Sequence, residues 1–145
     1  MSKMTSRVKH NYDIDPAALF RALGSAAVTA DGSSDVLSIH QLATAYWDDG
    51  SENADKRFDI VLFVEAITVT NAVNVNIQVD DAEDMASVVT HKTFLDPAVG
   101  VYTIPIDADA LADSIADPTH MRVNIDLGVS DSITYAAWIA PAAKA

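Results

Sequence analysis

The chain has 145 residues, no cysteine and a formal net charge of −12, from nine Lys and Arg against 21 Asp and Glu. That length fits one domain whose core is stable without disulfide or metal staples. The lack of cysteine excludes disulfides, thiolate catalysis and zinc sites built on sulfur. The acidic balance disfavours nucleic acid as a partner, and no apolar run approaches the roughly 20 residues of a membrane span. We therefore expect a protein made in the cytoplasm, without a membrane partner.

The first twelve residues are polar and show no period, which predicts an extended arm that is disordered alone or ordered only against a partner. Residues 1–21 carry a local charge of +2, and the remaining residues carry −14. A basic arm suits an acidic partner surface, and the alternative is a solubilising tail. The contact candidates in the arm are Lys3, Arg7, Lys9 and Tyr12.

Helix signals follow the arm. Asp15 is a suitable N-cap, Pro16 fits the first helical position, and Gly24 can end the turn, so the pattern predicts a helix over 16–23. A turn-rich link then runs to residue 35. We interpret residues 1–35 as arm, short helix and link ahead of the main domain.

From residue 36 onward the pattern is mostly alternating, which is typical of strands with one buried face. Seven segments qualify, with turn signals between them: Val36–His40, Phe58–Thr68, Val73–Val79, Ser87–Phe94, Val99–Ile106, Met121–Leu127 and Ile133–Ile139. Seven or eight short strands predict an all-β domain over 36–145, an antiparallel β-sandwich or jelly roll. The Ala-rich segment 107–117 predicts a second short helix, which ends before Pro118.

Two of these strands are more apolar than a half-exposed sheet requires. Val61, Phe63 and Ile67 alternate with the inward set of the first long strand, and Trp138 lies opposite the inward set of the last strand. One interpretation is burial of both faces under the arm or the helices. The other is contact with a neighbouring subunit, since exposed apolar patches mark association sites. These four residues are the candidates for an oligomer interface.

No catalytic signature stands out, and we expect neither an enzyme nor a cofactor. The four histidines lack the spacing of a helical metal pair, and the nucleophile-elbow and phosphate-loop patterns are absent. Carboxylates cluster around Asp80–Asp84 and Asp48–Asp55. Solvated hairpin tips explain both clusters, with a weak divalent-cation site as the alternative.

Tyr46 and Trp47 precede the second acidic cluster. Aromatic rings beside carboxylates can stack on sugars, so these two residues are candidates for glycan stacking. The other interpretation is core packing or subunit contact, because Trp and Tyr are favoured anchors at interfaces.

The order of these features resembles the small capsid cement, or decoration, proteins of tailed bacteriophages, in particular the group similar to the Bordetella phage cement protein. The resemblance covers residues 36–140 and lies in an ordered set of short segments rather than in one motif. The segments are Val36–Ile39, Asp59–Val64, Val73–Val79, the polar stretch Asp80–Ser87, Ile104–Ile106, Met121–Ile125 and the Ala-rich Thr134–Ile139.

The resemblance implies a sandwich or jelly-roll subunit that forms a homodimer or homotrimer. It would cement the outer surface of an icosahedral head by bridging neighbouring capsomers, with the major capsid protein as partner and the virion as its location. A strongly acidic body agrees with an outer position, because packaged DNA would repel it. The alternatives are another virion part, such as a head fibre, neck or tail protein, and a carbohydrate-binding sandwich.

Overall fold

The computed structural model describes residues 19–38, 57–107, 111, 115 and 118–141. These residues form strands and connecting turns. The nine strands of the described part are β1 (Leu19–Arg21), β2 (Gly32–Ser33), β3 (Leu37–Ser38), β4 (Arg57–Thr68), β5 (Val73–Asp80), β6 (Val89–Leu95), β7 (Gly100–Asp107), β8 (His120–Leu127) and β9 (Ser132–Pro141).

The strands build two antiparallel sheets that share one core. Sheet A has the order β1-β9-β4-β7, and sheet B has the order β2-β8-β5-β6 with β3 also paired to β8. Apolar side chains of β4 and β9 lie in the same buried cluster as those of β5 and β8. The all-β antiparallel sandwich predicted from the sequence is therefore confirmed.

Strict alternation explains why β5 forms as it does. Val73, Val75, Ile77 and Val79 are fully buried between the sheets, and the intervening polar residues turn to the outer face of sheet B. Strand β8 repeats the pattern in register with β5, since Val75 is opposite Ile125. Because the side-chain period of a strand is two, one register aligns both apolar sets with the core.

Strand β4 contains a bulge that changes which side chains face the core. Val64 pairs with Tyr135 and Ala66 pairs with Thr134, so Glu65 is an extra residue without a partner on β9. The bulge shifts the alternation by one residue, and Ile67 consequently packs against the core. The prediction that Ile67 shares an outer face with Val61 and Phe63 is wrong for this reason.

The helix predicted over 16–23 is wrong for Leu19–Arg21, which form β1. Leu19 is opposite Trp138, Arg21 is opposite Ala137, and Phe20 between them is buried in the core. Pairing with the edge of β9 and burial of one large ring outweigh the local capping signals, because helix propensity is only a weak prior. Gly24, at φ +82°, lies in the turn that follows the strand.

Two strands lie before residue 36, where the sequence places the start of the sandwich. β1 pairs with β9, and β2 pairs with β8. Within the predicted helix 107–117, Asp107 ends β7, and Leu111 is fully buried in the core. The amide of Ile115 donates to the carbonyl of Leu111 at 3.1 Å, and the rest of that segment lies outside the described residues.

Candidate interaction surfaces

The outer face of sheet A is apolar across its centre. Register places Val61 opposite Trp138 and Phe63 opposite Ala136, with all four side chains on the face that points away from the core. Val61, Phe63 and Trp138 are half-buried, whereas Ala136 is fully buried. Three of the four predicted interface candidates therefore lie together, and Ile67 does not join them.

Sequence reasoning missed two members of this face. Val101 on β7 pairs with Phe63 and is 64% exposed, and Ala136 fills the position beside Phe63 on β9. Val101 could have been found, since it alternates with the inward-facing Tyr102 and Ile104. Ala136 gave no signal, because alanine suits either face of a strand.

The outer face of sheet B is polar and bonded within itself. The Asn76 side chain is 7% exposed. Its amide nitrogen donates to Asn124 Oδ1 at 3.2 Å and to Asp126 Oδ2 at 3.0 Å. Its amide oxygen accepts from Thr93 Oγ1 at 2.8 Å. Each hydrogen-bonding group of this buried amide thus has a partner, which removes the cost of burying it.

Further side-chain hydrogen bonds lie on both sides of Asn76 on the same face. Asn124 Nδ2 donates to Ser33 Oγ at 3.0 Å, and Arg122 Nε donates to Gln78 Oε1 at 2.8 Å. These bonds join β2, β8, β5 and β6 across the face. We call this set of side chains the polar ladder; its members are Ser33, Asn76, Gln78, Thr93, Arg122, Asn124 and Asp126.

A shallow groove of about 530 Å³ lies between the edge strands β6 and β7. Phe94 and Tyr102 close it with ring centroids 5.3 Å apart, and the Lys92 ammonium lies 5.3 Å from the Phe94 ring centroid. His91, the extra residue of a bulge in β6, also lines the groove. Partial burial, and then the charge of Lys92, lower the pKa of His91.

Asp131 anchors two turns at one end of the sandwich. Its carboxylate accepts from the amides of Thr70, Asn71, Ala72 and Gly128, with Ala72 N at 2.8 Å and Gly128 N at 3.1 Å. Burial would raise the pKa of Asp131, but the four amide hydrogen bonds outweigh burial and lower it. The carboxylate therefore serves as a structural acceptor.

Asp80 has the same kind of role at the opposite end. Its carboxylate accepts from the amide of Ser87 at 2.9 Å and from that of Asp81 at 2.7 Å. The Ser87 bond is the main reason why the pKa of Asp80 is lowered. Within the described ranges, no group of three or more acidic or histidine side chains could hold a metal ion.

Tyr135 lies on the inner side of β9 under a cation. The Arg21 guanidinium is 4.7 Å from the centroid of its ring and donates to the Tyr135 carbonyl at 2.6 Å. Burial raises the pKa of Tyr135 to about 12, and Arg21 opposes that rise. This pair ties the short β1 to β9 and fixes the edge of sheet A.

The other predicted site residues lie outside the described part of the chain. They are Lys3, Arg7, Lys9 and Tyr12 of the arm, and the glycan-stacking candidates Tyr46 and Trp47. The acidic cluster Asp48–Asp55 also lies there.

Comparison of the chain with protein-family models, curated proteins and solved structures gave no match. Across residues 19–38, 57–107 and 118–141, no helix is long and apolar enough to cross a bilayer.

Proposed function

We propose that the chain is a structural binding protein that cements the outer surface of a phage head. In this proposal it associates with itself through the outer face of sheet A and bridges neighbouring capsomers of the major capsid protein. The observation that carries the self-association is the apolar face formed by Val61, Phe63, Val101 and Trp138. The cementing role rests on the resemblance of residues 36–140 to cement proteins.

The dimensions of that face are sufficient for a subunit contact. β4 and β9 pair over ten positions, and the sheet is four strands wide. The face is therefore about 30 Å long and about 19 Å wide, and two copies could bury on the order of 1,000 Å² together, which is near the lower limit for a specific interface.

The charge distribution supports the same surface. The body after residue 21 carries −14, so two copies repel each other over most of their area. Val61, Phe63, Ala136 and Trp138 at the centre of the sheet A face carry no charge, and depletion of charge is typical of interface cores. Along β4 the carboxylates of Asp59 and Glu65 flank this centre. Self-association there places the acidic surfaces at the rim, where water and salt screen them.

We further propose the jelly-roll form of the sandwich. The strand order within the two sheets supports the jelly-roll form. If β2 and β3 are counted as one strand because both pair with β8, each sheet has four strands. Strands one, eight, three and six then form one sheet, and two, seven, four and five form the other, as two Greek keys require.

The experiment is purification of heads from phage with and without this gene, followed by protein quantification and a heat challenge. We expect many copies of the chain on each head and faster loss of packaged DNA from heads that lack it. A few copies per particle would favour a neck or tail part. Retention on a glycan column that W47A abolishes would favour the carbohydrate-binding alternative.

A further inference from the structure

Exposed aliphatic side chains concentrate at one end of the sandwich. Four loops meet there, residues 22–31, 69–72, 96–99 and 128–131, and we call this surface the loop end. The exposed large apolar residues on it and on its flanking strand terminus are Leu23 at 49%, Val69 at 42%, Leu95 at 72%, Val99 at 60% and Val129 at 81%. Among the described residues, one other exposed large apolar side chain is Val101, near the start of β7.

Strand register shows that these loops share one end. The last residue of β4, Thr68, is opposite Ser132 at the start of β9. The first residue of β5, Val73, is opposite Leu127 at the end of β8. The 22–31 loop joins the same end through a bridge between Val28 and Ile133. Five exposed aliphatic side chains at one end are more than scattered surface residues would explain.

The loops that carry these side chains are held by specific hydrogen bonds. The Asp131 carboxylate joins the 69–72 loop to the 128–131 loop, and Asn71 Nδ2 donates to the Val129 carbonyl at 2.6 Å. The Tyr102 hydroxyl donates to the Ala98 carbonyl at 2.7 Å, beside Val99. A preorganised apolar surface loses little conformational entropy on binding.

Close packing reinforces this arrangement at Gly128. A Cβ atom at that position would lie 2.5 Å from Asn71 Cβ and 2.8 Å from Asp131 Oδ2. The 69–72 and 128–131 loops therefore approach each other as closely as glycine allows. The exposed side chains of Val69 and Val129 therefore lie on loops that are packed tightly against each other.

Charge restricts what can cover the loop end. Its four loops contain no Lys, Arg or His. They carry two exposed carboxylates, those of Asp31 and Asp96, whereas Asp131 is buried. Contact between two loop ends would bring the carboxylates of both copies together. An anionic bilayer is also disfavoured, because peripheral membrane surfaces rely on Lys and Arg.

The geometry points to the loop end as a docking surface for a different protein, whose contact patch is apolar at its centre and basic at its rim. Under the proposed function, on which the identity of the partner rests, that protein is the head shell. Sheet A would then join copies of the chain, and the loop end would attach them to the shell.

The test uses heads from phage that lack this gene and adds back the full-length chain in a co-sedimentation titration. The V99S/V129S double variant should bind heads at least tenfold more weakly than the wild type, with an unchanged unfolding transition, because both side chains are exposed. A86S is the control, since Ala86 is exposed in the turn between β5 and β6, at the opposite end of the sandwich and away from the sheet A face; it should bind heads as the wild type does.

The outcomes separate the two proposals. Wild-type and V99S/V129S proteins that bind heads equally would overturn the docking surface and leave the cementing role intact. A wild type that does not bind heads would overturn both. Loss of self-association in V99S/V129S by light scattering would assign the loop end to contacts between copies. Binding to phosphatidylserine vesicles that V99S/V129S abolishes would assign it to a bilayer instead.

Discussion

The two outer faces of the sandwich have the same strand geometry but opposite polarity: the outer face of sheet B is polar, and that of sheet A is apolar at its centre. On sheet B, Asn76 and its neighbours hydrogen-bond to one another across four strands. On sheet A, the corresponding central positions hold Val61, Phe63 and Trp138. The polar ladder satisfies its own groups, whereas apolar side chains gain free energy by leaving water.

This difference indicates that the outer face of sheet B contributes to folding stability and that the outer face of sheet A contributes to association. Removing a member of the polar ladder breaks hydrogen bonds between strands or leaves the buried amides of Asn76 and Gln78 without a partner, so the substitution lowers folding stability. Replacing an apolar side chain on sheet A removes surface that a second copy would cover, so the cost falls on association. Variants on the two faces should therefore separate the two measurements.

The largest expected effect is the weakening of self-association by F63T. Threonine is β-branched, which strands favour, and the substitution removes the large ring from the centre of the sheet A face. We expect self-association to weaken about a hundredfold, or about 2.7 kcal/mol, measured by sedimentation equilibrium. The unfolding free energy of the monomer should change by less than about 1 kcal/mol, since Phe63 lies outside the core.

The matched control is N74T, because Asn74 is half-buried on the outer face of β5 and donates no side-chain hydrogen bond to a described residue. It should change neither measurement. Equal self-association of F63T and wild type would show that sheet A is not the subunit contact.

The unfolding free energy should fall at alkaline pH because of Tyr135, on the inner side of β9. The pKa of Tyr135 is raised by burial from 10.0 to about 12, so the folded state holds the neutral phenol. Stability from this group is complete below pH 10 and is lost as pH rises from 10 to 12. The loss should be about 2 kcal/mol at pH 12.

Urea unfolding at several pH values measures this effect as the difference between wild type and Y135F. The phenylalanine variant should lack that part of the alkaline loss, whereas Y102F should retain it. Parallel pH curves for wild type and Y135F would contradict the raised pKa.

N76A tests the polar ladder. The substitution removes three hydrogen bonds, and its partners Asn124, Asp126 and Thr93 can turn partly to water. We expect the unfolding free energy to fall by about 1–2 kcal/mol, measured by denaturant titration, with self-association unchanged. N74A on the same face of β5 should fall by less than about 0.5 kcal/mol. A loss of self-association in N76A would remove the contrast between the faces.

Alternation was enough to predict the long strands. Four apolar residues in strict order specify the buried face of β5, and the same holds for β8, because register and face are coupled by the period of two. The position of Trp138 on the outer side of β9 followed from the same rule. These features depend on local pattern alone.

The sequence-based predictions were wrong where contacts between residues distant in the chain determine the local structure. Leu19–Arg21 carries good helix signals, and only the open edge of β9 makes it a strand. The bulge at Glu65 has no sequence signal such as glycine, so the inward position of Ile67 could not be read from alternation. The valines of the loop end lie in turns, where an apolar residue could have been noticed as unusual.

The smallest expected change in the unfolding free energy is that of E65A. It should be an increase, whereas N76A should cause a decrease. Glu65 Oε2 is buried and has no hydrogen-bond partner among the described residues, so this oxygen loses hydration without a compensating hydrogen bond. Its removal should raise the unfolding free energy by about 1 kcal/mol. E83A, an exposed glutamate in the turn between β5 and β6, is the control and should change it by less than about 0.5 kcal/mol. Destabilisation by E65A would mean that the bulge needs this side chain, and that sheet A, like sheet B, holds a polar contact essential to its fold.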